Sequence, residues 1–345
     1  MNQCRVAAVQ FATGTDLSRN LATCLRMIHC AIREGAELIV LPEFCNHLSW
    51  YDDYNHAWRV ALAEDGPFLQ AIAEKARDNR CHIVINVSLR RPPSPDKPQP
   101  ITVTSILFGP GGKQLLQAHK QTMMGHENDY FVRADKITPV VDTVVGKLGL
   151  FSCRDGVTCE TPRSLALRGA GILCDSLNSF ALDEASLHVP ARAVENKVFL
   201  VAANKIGPLI PEPLLVPVSE ATHIPVEFLM GAGESQIVAP DGRVLARGPR
   251  AEEAIVVADI NLDEAHNKQR PDGSSQFLNR RPSLYRPLAE APQGEYCVGG
   301  ADAIRAALYS PSQQSGAALT EVVHLIRDLD TALALLVLPE LFCFG

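Results

Sequence analysis

Aromatic residues are scarce in this chain, at 6% of its 345 positions, and no apolar run approaches the roughly 20 residues that a membrane helix needs. No membrane association is therefore expected. Basic charge is not in excess either: 32 Lys and Arg stand against 39 Asp and Glu, a net charge of -7, which argues against nucleic acid as a partner. No set of His, Cys, Asp and Glu has zinc-like spacing, and Cys81-His82 is an isolated pair in an apolar run, so neither metal nor other cofactor is expected. The first residues, Met1 to Val6, lack the charged start, apolar stretch and cleavage site of a secretory signal, which makes the cytoplasm the expected location. Cysteine, by contrast, is plentiful. The ten thiols fall mostly inside apolar stretches, as small buried hydrophobes of a reducing compartment do. What remains is 46% hydrophobic, the composition of a globular chain with a sizeable core.

Apolar periodicity supplies a coarse map. Val6 to Phe11 is a short apolar run. Leu21, Cys24, Leu25, Ile28, Ala31 and Ile32 follow at helical spacing behind an Asp16/Ser18 start, and then comes a strand over Ala36 to Leu41. The pattern continues with a helix near Pro67 to Asn79, strands His82 to Leu89 and Thr102 to Phe108, a Gly-Pro-Gly-Gly turn and the run Gln114 to Ala118. Beyond it the spacing predicts a helix around Arg163 to Gly169, a strand over Gly171 to Ser176 and a helix near Glu184 to Asn196. Further strands are predicted over Val198 to Asn204, Glu234 to Ala239 and Ala254 to Ile260. Gly207 to Val218 holds four prolines and reads as an ordered loop or lid rather than an element. Some strands alternate with helices while others follow one another through turns, so the fold class is α/β with mixed sheets.

An internal repeat adds organisation. Ala7-Ala8-Val9 through Leu41-Pro42-Glu43 reappears as Ala306-Ala307-Leu308 through Leu338-Pro339-Glu340, with Leu335-Leu336-Val337 matching Leu38-Ile39-Val40. The expected domains are a main one over residues 1–287, a linker over 288–303 and a truncated partial second copy, strand-helix-strand, over 304–345. The alternative is that two strand-helix-strand units coincide on one Leu-Pro-Glu tripeptide.

Three short stretches carry the chemistry: Leu41-Pro42-Glu43, His119-Lys120 and Ser152-Cys153-Arg154-Asp155, each after an apolar run. In an α/β fold, side chains that do chemistry gather beyond the carboxyl ends of strands. Cys153 precedes Thr161-Pro162-Arg163, where Thr161 is the expected helix N-cap and Pro162 the first helical residue. A thiol between a strand end and a helix start favours thiolate and can attack a carbonyl. Glu43 at a strand end needs a partner to be desolvated, and Lys120 can be that partner. A Glu beside the thiol can move its proton, and a Lys near both can stabilise an oxyanion with help from backbone amides after Cys153. A strand-end salt bridge between Glu43 and Lys120 is the competing reading.

At these residues the chain resembles the nitrilase superfamily of carbon-nitrogen hydrolases, whose members use a Glu-Lys-Cys triad, and the three stretches occur in the family's order. The resemblance extends over residues 4–287, through Ala191-Arg192-Ala193-Val194-Glu195-Asn196, Ala203-Asn204-Lys205-Ile206-Gly207 and Gly233-Glu234-Ser235 to Pro240-Asp241-Gly242. It implies a four-layer α-β-β-α sandwich that pairs through its helical faces into a homodimer or larger homo-oligomer. It also implies catalytic roles for Glu43, Lys120 and Cys153. Glu127, ahead of Tyr130-Phe131, matches the second Glu that orients the Lys or substrate in family members, or else it is a solvated loop carboxylate. His119 and His126 are expected to be hydrogen-bonding neighbours and Cys159 a packing residue.

Departures from the family pattern narrow the substrate. Nitrile-cleaving members show Cys-Trp-Glu, so Cys153-Arg154-Asp155 points to a small-molecule amide or carbamoyl substrate. Arg154 either faces the pocket and receives a carboxylate or points away and pairs with Asp155 or Glu160. Asn178, Phe180, the Trp50-Tyr51 region and the loop from Pro208 to Met230 are expected to cover the pocket. The leading expectation is hydrolysis of a linear amide or N-carbamoyl group through an acyl-enzyme on Cys153. The alternatives are an acyltransferase that passes the acyl group to an amine, and a degenerate non-catalytic module of a longer protein.

Overall fold

The computed structural model describes residues 3–93, 97–270 and 272–290, with two further short strands over 306–308 and 335–337. Two compact units divide the chain, Met1–Arg280 and Arg281–Gly345. Strands of the first unit are β1 (Gln3–Gln10), β2 (Leu38–Val40), β3 (His82–Arg90), β4 (Ile101–Phe108), β5 (Gln114–His119), β6 (Val141–Thr143) and β7 (Gly146–Ser152). They continue with β8 (Ile172–Ser176), β9 (Phe199–Ala203), β10 (Ile206–Pro208), β11 (Met230–Ala232), β12 (Gln236–Val238), β13 (Val244–Arg247) and β14 (Ala254–Asn261). Its α-helices are α1 (Leu17–Arg33), α2 (Tyr54–Val60), α3 (Pro67–Asn79), α4 (Glu127–Tyr130), α5 (Arg154–Val157), α6 (Glu160–Leu167), α7 (Val189–Asn196), α8 (Leu215–Thr222) and α9 (Asp263–His266).

Two six-stranded sheets result, ordered β14-β1-β2-β3-β4-β5 and β13-β12-β9-β8-β7-β6. Both are mixed in the same way. Parallel pairings β1–β2 and β2–β3 lie at the centre of the first, parallel pairings β7–β8 and β8–β9 at the centre of the second, and antiparallel pairings flank them. Alternation along the strands fixes the layers. Ala7, Val9, Ile39 and Ile83 pack with Met27 and Ile28 of α1 and Leu69 and Ile72 of α3. Their neighbours Val6, Ala8, Leu38 and Val84 point to the other face and meet Leu148, Ile172, Val201 and Ile237 of the second sheet. The outer face of the second sheet, with Leu173 and Leu200, is covered by Leu165 of α6 and Val189 and Ala193 of α7. The order is helix, sheet, sheet, helix, an α-β-β-α sandwich.

Local signals account for the longer helices. Asp16 caps α1 by accepting from the backbone N–H groups of Ser18 and Arg19, and Pro67 opens α3, where its missing N–H costs nothing. Three expectations change. Helix α6 begins at Glu160, so Thr161 is a buried residue inside its first turn, not the cap, and Pro162 is tolerated because first-turn N–H groups have no intrahelical partner. Cys159 is exposed instead of packed, since it occupies the turn before α6. The proline-rich stretch is not a bare loop: it holds β10, a 3-10 turn over Glu212–Leu214 and α8, with Leu209 and Ile210 buried. Pro217 falls in the first turn of α8, the part of a helix that accepts it.

In the second unit, 3-10 turns span Pro282–Leu284 and Arg286–Ala289, and strands β15 (Ala306–Leu308) and β16 (Leu335–Val337) pair in parallel. The β1–β2 pair is also parallel, but aligned by the sequence repeat the register of β15–β16 is displaced by one residue: Ala307 faces Leu336, whereas Ala8 faces Val40. Leu338-Pro339-Glu340 and most of the expected linker lie outside the described residues.

Candidate active site

Glu43 follows β2 in a corner that the backbone would not adopt unaided. Its N–H donates to the Leu177 carbonyl at 3.1 Å, across the two sheets, and the next residue, Phe44, has φ +53°. A bulky residue in the left-handed region costs of order 1–3 kcal/mol and persists only when its surroundings over-determine it. Here the Phe44 N–H donates to Asn86 Oδ1 at 3.1 Å, the Cys45 N–H donates to the Asn86 carbonyl at 2.8 Å, and Lys205 Nζ donates to the Phe44 carbonyl at 3.2 Å. The corner aims the Glu43 side chain into the gap between the sheets, where it is fully buried.

Lys120 follows β5 and is also buried. Its Nζ lies 2.8 Å from Glu43 Oε1 and 2.9 Å from both carboxylate oxygens of Glu127, the first residue of α4. Glu127 Oε2 also accepts the Met124 N–H at 2.9 Å, so it is a buried, tied carboxylate and not a solvated loop residue. Burial alone would lower the Lys120 ammonium, but Glu43, Cys153 and Glu127 together push it above its ordinary value. Burial raises Glu43 to about 7, with Lys120 pulling it down and Glu127 pushing it up. The second Glu43 oxygen, Oε2, is buried and has no hydrogen-bond partner. Leaving a buried acceptor without a protein partner is costly.

Cys153 ends β7 in a second strained corner, with φ +50° and ψ -109°. Its N–H donates to Asp175 Oδ1 at 2.9 Å and its carbonyl accepts from the Gly156 N–H at 2.8 Å. A Cβ on Gly156 would fall 2.7 Å from the Phe151 ring and 3.1 Å from Asp175 Oδ2, so only glycine lets α5 turn this closely. Arg192 of α7 clamps the same segment by donating to the carbonyls of Gly156 and Val157, both at 2.8 Å. Burial raises the thiol well above its ordinary value and Glu43 adds to the rise, while Lys120 and the Asn178 backbone amide oppose it. Burial thus outweighs the helix-start position that was expected to favour thiolate, and the thiol lies within the electrostatic reach of the buried carboxylate and ammonium.

The three stretches singled out in the sequence thus converge, although they come from both sheets. Asp155 joins them: its carboxylate accepts the N–H groups of Gln121 and Thr122 at 3.1 and 2.7 Å, tying the segment after Lys120 to the one after Cys153. That use removes Asp155 as a partner for Arg154. Arg154 is exposed and forms no ion pair with Asp155 or Glu160 among the described residues, so the reading in which it points away and pairs with them is overturned. Arg154, Asn178 and Phe180 all line the cavity beside Cys153, and Asn178 Oδ1 is a buried acceptor without a partner. Trp50 lines the cavity too, together with Leu209, Ile210 and Phe228 from the 208–230 stretch. Tyr51 instead packs edge-on against Tyr130 and Phe131. His119 bonds Thr104 Oγ1 at 2.9 Å and His126 bonds the Ser49 carbonyl at 2.8 Å, each a fixed neighbour.

Sequence reasoning missed Asp175, Lys205 and Glu184. Asp175 left a usable signal, a carboxylate inside the otherwise buried strand β8, and Lys205 stood in the Ala203-Asn204-Lys205-Ile206-Gly207 stretch that resembles the family without being given a role, whereas Glu184 gave none. Among the described residues no group of three His, Cys, Asp or Glu could hold a metal ion, and no helix is long and apolar enough to cross a membrane.

Comparison with known proteins shows the family and the fold. A family model described as carbon-nitrogen hydrolase matches residues 5–269. A nitrilase of Pyrococcus abyssi is 26% identical over 269 residues, covering 77% of this chain and 93% of the relative. An N-carbamoylputrescine amidase of Solanum tuberosum is 28% identical over 301 residues, covering 82% and 94%. Among solved structures, a variant of the amidase from Nesterenkonia sp. AN1, with acrylamide added at its active-site cysteine, superposes with a TM-score of 0.64 at 22% identity. That match covers 83% of this chain and 99% of the amidase.

Proposed function

Because the chain belongs to the carbon-nitrogen hydrolase family, we propose that it hydrolyses the C–N bond of a linear amide or N-carbamoyl compound through a thioester on Cys153. The observation that carries this reading is the bare, buried Oε2 of Glu43, on a carboxyl group raised to about 7 and linked by Lys120 to Glu127 beside the Cys153 thiol. Glu43 takes the Cys153 proton as the sulfur bonds to the substrate carbon. The carbonyl oxygen becomes an oxyanion, held by Lys120 and the N–H groups that follow Cys153. When the oxyanion collapses, the C–N bond breaks and the nitrogen leaves as ammonia or an amine, carrying the proton from Glu43. Glu43 then takes a proton from water, whose oxygen attacks the thioester. The acid departs and the proton returns to sulfur. Glu127 positions Lys120 throughout. Names among the relatives, nitrilase and N-carbamoylputrescine amidase, support the reaction class, and Cys153-Arg154-Asp155 favours amides and carbamoyl groups over nitriles.

The test is mass spectrometry of the Cys153 peptide during turnover of short amides and N-carbamoyl amines, with ammonia release followed in parallel. The expected result is an acyl adduct on Cys153 and no ammonia from Cys153→Ala. Unchanged ammonia release from that variant would sink the proposal. Added amine separates hydrolysis from acyl transfer, because transfer diverts the acyl group into a new amide.

A further inference from the structure

The cavity beside Cys153 has two arms of about 230 Å³ each, which share Met124, Cys153, Asn178 and Phe180. One arm is apolar, with Trp50, Leu209, Ile210 and Phe228. The other contains every ionisable group outside the catalytic cluster that reaches the cleft from the β8–α7 connection and α5: Arg154, Asp183, Glu184 and His188. Asp183 and His188 lie 3.5 Å apart and answer each other. Arg154 and Glu184 do not. Among the described residues the Arg154 side chain makes no hydrogen bond or ion pair, and the one side-chain hydrogen bond of Glu184 is accepted from Ser179 Oγ at 3.5 Å, the outer limit of such a contact. Glu184 is only 5% exposed, and burial raises its carboxyl to about 7; Arg154 opposes that rise only from beyond ion-pair distance, so a ligand cation placed at this carboxylate would be favourable. Arg154, exposed beside it, presents a planar fork that matches a carboxylate. Two opposite charges that line one arm without pairing make a receptor for a ligand that carries both.

We infer that the polar arm receives the α-amino-acid end of the substrate, its ammonium at Glu184 and its carboxylate at Arg154, and that the scissile group is an ω-amide or ω-ureido function of that amino acid. The inference rests on the thioester chemistry proposed above and adds the substrate class. Glu184 and Arg154 are then specificity residues, lining the same arm of the cavity as Cys153.

The experiment uses the full chain and compares L-asparagine, L-glutamine and L-citrulline with three analogues of glutamine: glutaramate, which lacks the ammonium, 4-aminobutanamide, which lacks the carboxylate, and butanamide, which lacks both. Ammonia release gives kcat/KM and mass spectrometry gives the Cys153 adduct. Loss of either charge from the preferred compound is expected to lower kcat/KM by roughly 10- to 100-fold, the range for a hydrogen bond to a charged group. Glu184→Gln should shrink the preference over glutaramate, and Arg154→Met, at an exposed site, should shrink the preference over 4-aminobutanamide. If butanamide or a singly charged analogue is turned over as well as the amino acids, or if both variants keep the discrimination of the parent, the inference is wrong while the thioester reading stands. If none of these compounds acylates Cys153 while other short amides or N-carbamoyl amines do, the inference is wrong and the thioester reading stands; if neither set does, the underlying reading fails and takes this one with it.

Discussion

Lys120 and Lys205 are two lysines with the same burial and opposite electrostatics. Each is at most 1% exposed, and their ammonium groups lie 5.9 and 5.8 Å from the centre of the same Phe44 ring. Lys120 is met by two carboxylates and is held above its ordinary value. Among the described residues the Lys205 ammonium has only the Phe44 carbonyl as hydrogen-bond partner, and burial pushes it down to about 8. Burial does not set the charge of a lysine; the charge of what it touches does. The first lysine is the one assigned to oxyanion stabilisation in the proposed reaction, while the second donates to the carbonyl of the strained corner that follows Glu43.

Breaking the Lys120 side of this contrast should have the largest effect. Lys120→Met leaves Glu43 and Glu127 buried without a cation, so activity should fall by about 10³-fold or more and stability by about 3–5 kcal/mol, read from ammonia release and urea unfolding. Glu43→Gln removes proton transfer but keeps a group for Lys120 to bond. Activity should drop about 10²- to 10³-fold with little change in folding. The parent enzyme sharpens that point through pH. Glu43 acts as a base only when unprotonated, so kcat/KM should rise as pH passes about 7 and level above it, and in the Gln variant this limb should vanish.

Lys205 offers a different measurement. Its folded value of about 8 lies below the ordinary 10.5, so between those values the folded state binds fewer protons than the unfolded state and stability rises with pH. Lys205→Met should reduce that rise by on the order of 3 kcal/mol across the window, seen by comparing urea midpoints at pH 7.5 and 10.5, while Lys268, also lowered to about 8, keeps its own contribution. If the slopes of parent and variant agree, Lys205 is not the uncompensated charge described here. The smallest effect belongs to Glu127→Gln, which keeps hydrogen bonds to Lys120 and Met124 but moves Lys120 one step toward the condition of Lys205. A loss of about 10-fold in kcat is expected, with KM nearly unchanged.

Much of the scaffold was legible because its signals are local. The Asp16 cap, the Pro67 start and the apolar spacing of Leu69, Ile72 and Ala76 belong to single helices, and the runs behind Glu43, Lys120 and Cys153 belong to single strands. Helix α2 was not legible: seven residues with one fully buried position, Ala57, leave no periodicity to detect. Stretch 208–230 misled because proline density signals a loop, yet Leu209 and Ile210 find apolar cover only in the tertiary structure.

By itself the sequence determined which residues stand at strand ends and what chemistry they carry, since a strand's length and the residue that follows it are properties of a short segment. It also determined that Glu43, Lys120 and Cys153 occur in one order on one chain. Only the tertiary structure decided that Lys120 touches both Glu43 and Glu127, that Glu43 keeps one oxygen bare, that Asp175 holds the Cys153 corner, and that Arg154 and Glu184 share a cavity arm without pairing. Those contacts join residues separated by 7 to 77 positions, and the Glu43–Lys120–Glu127 group of the first sheet meets the Cys153–Asp175 group of the second only once burial has brought the sheets face to face.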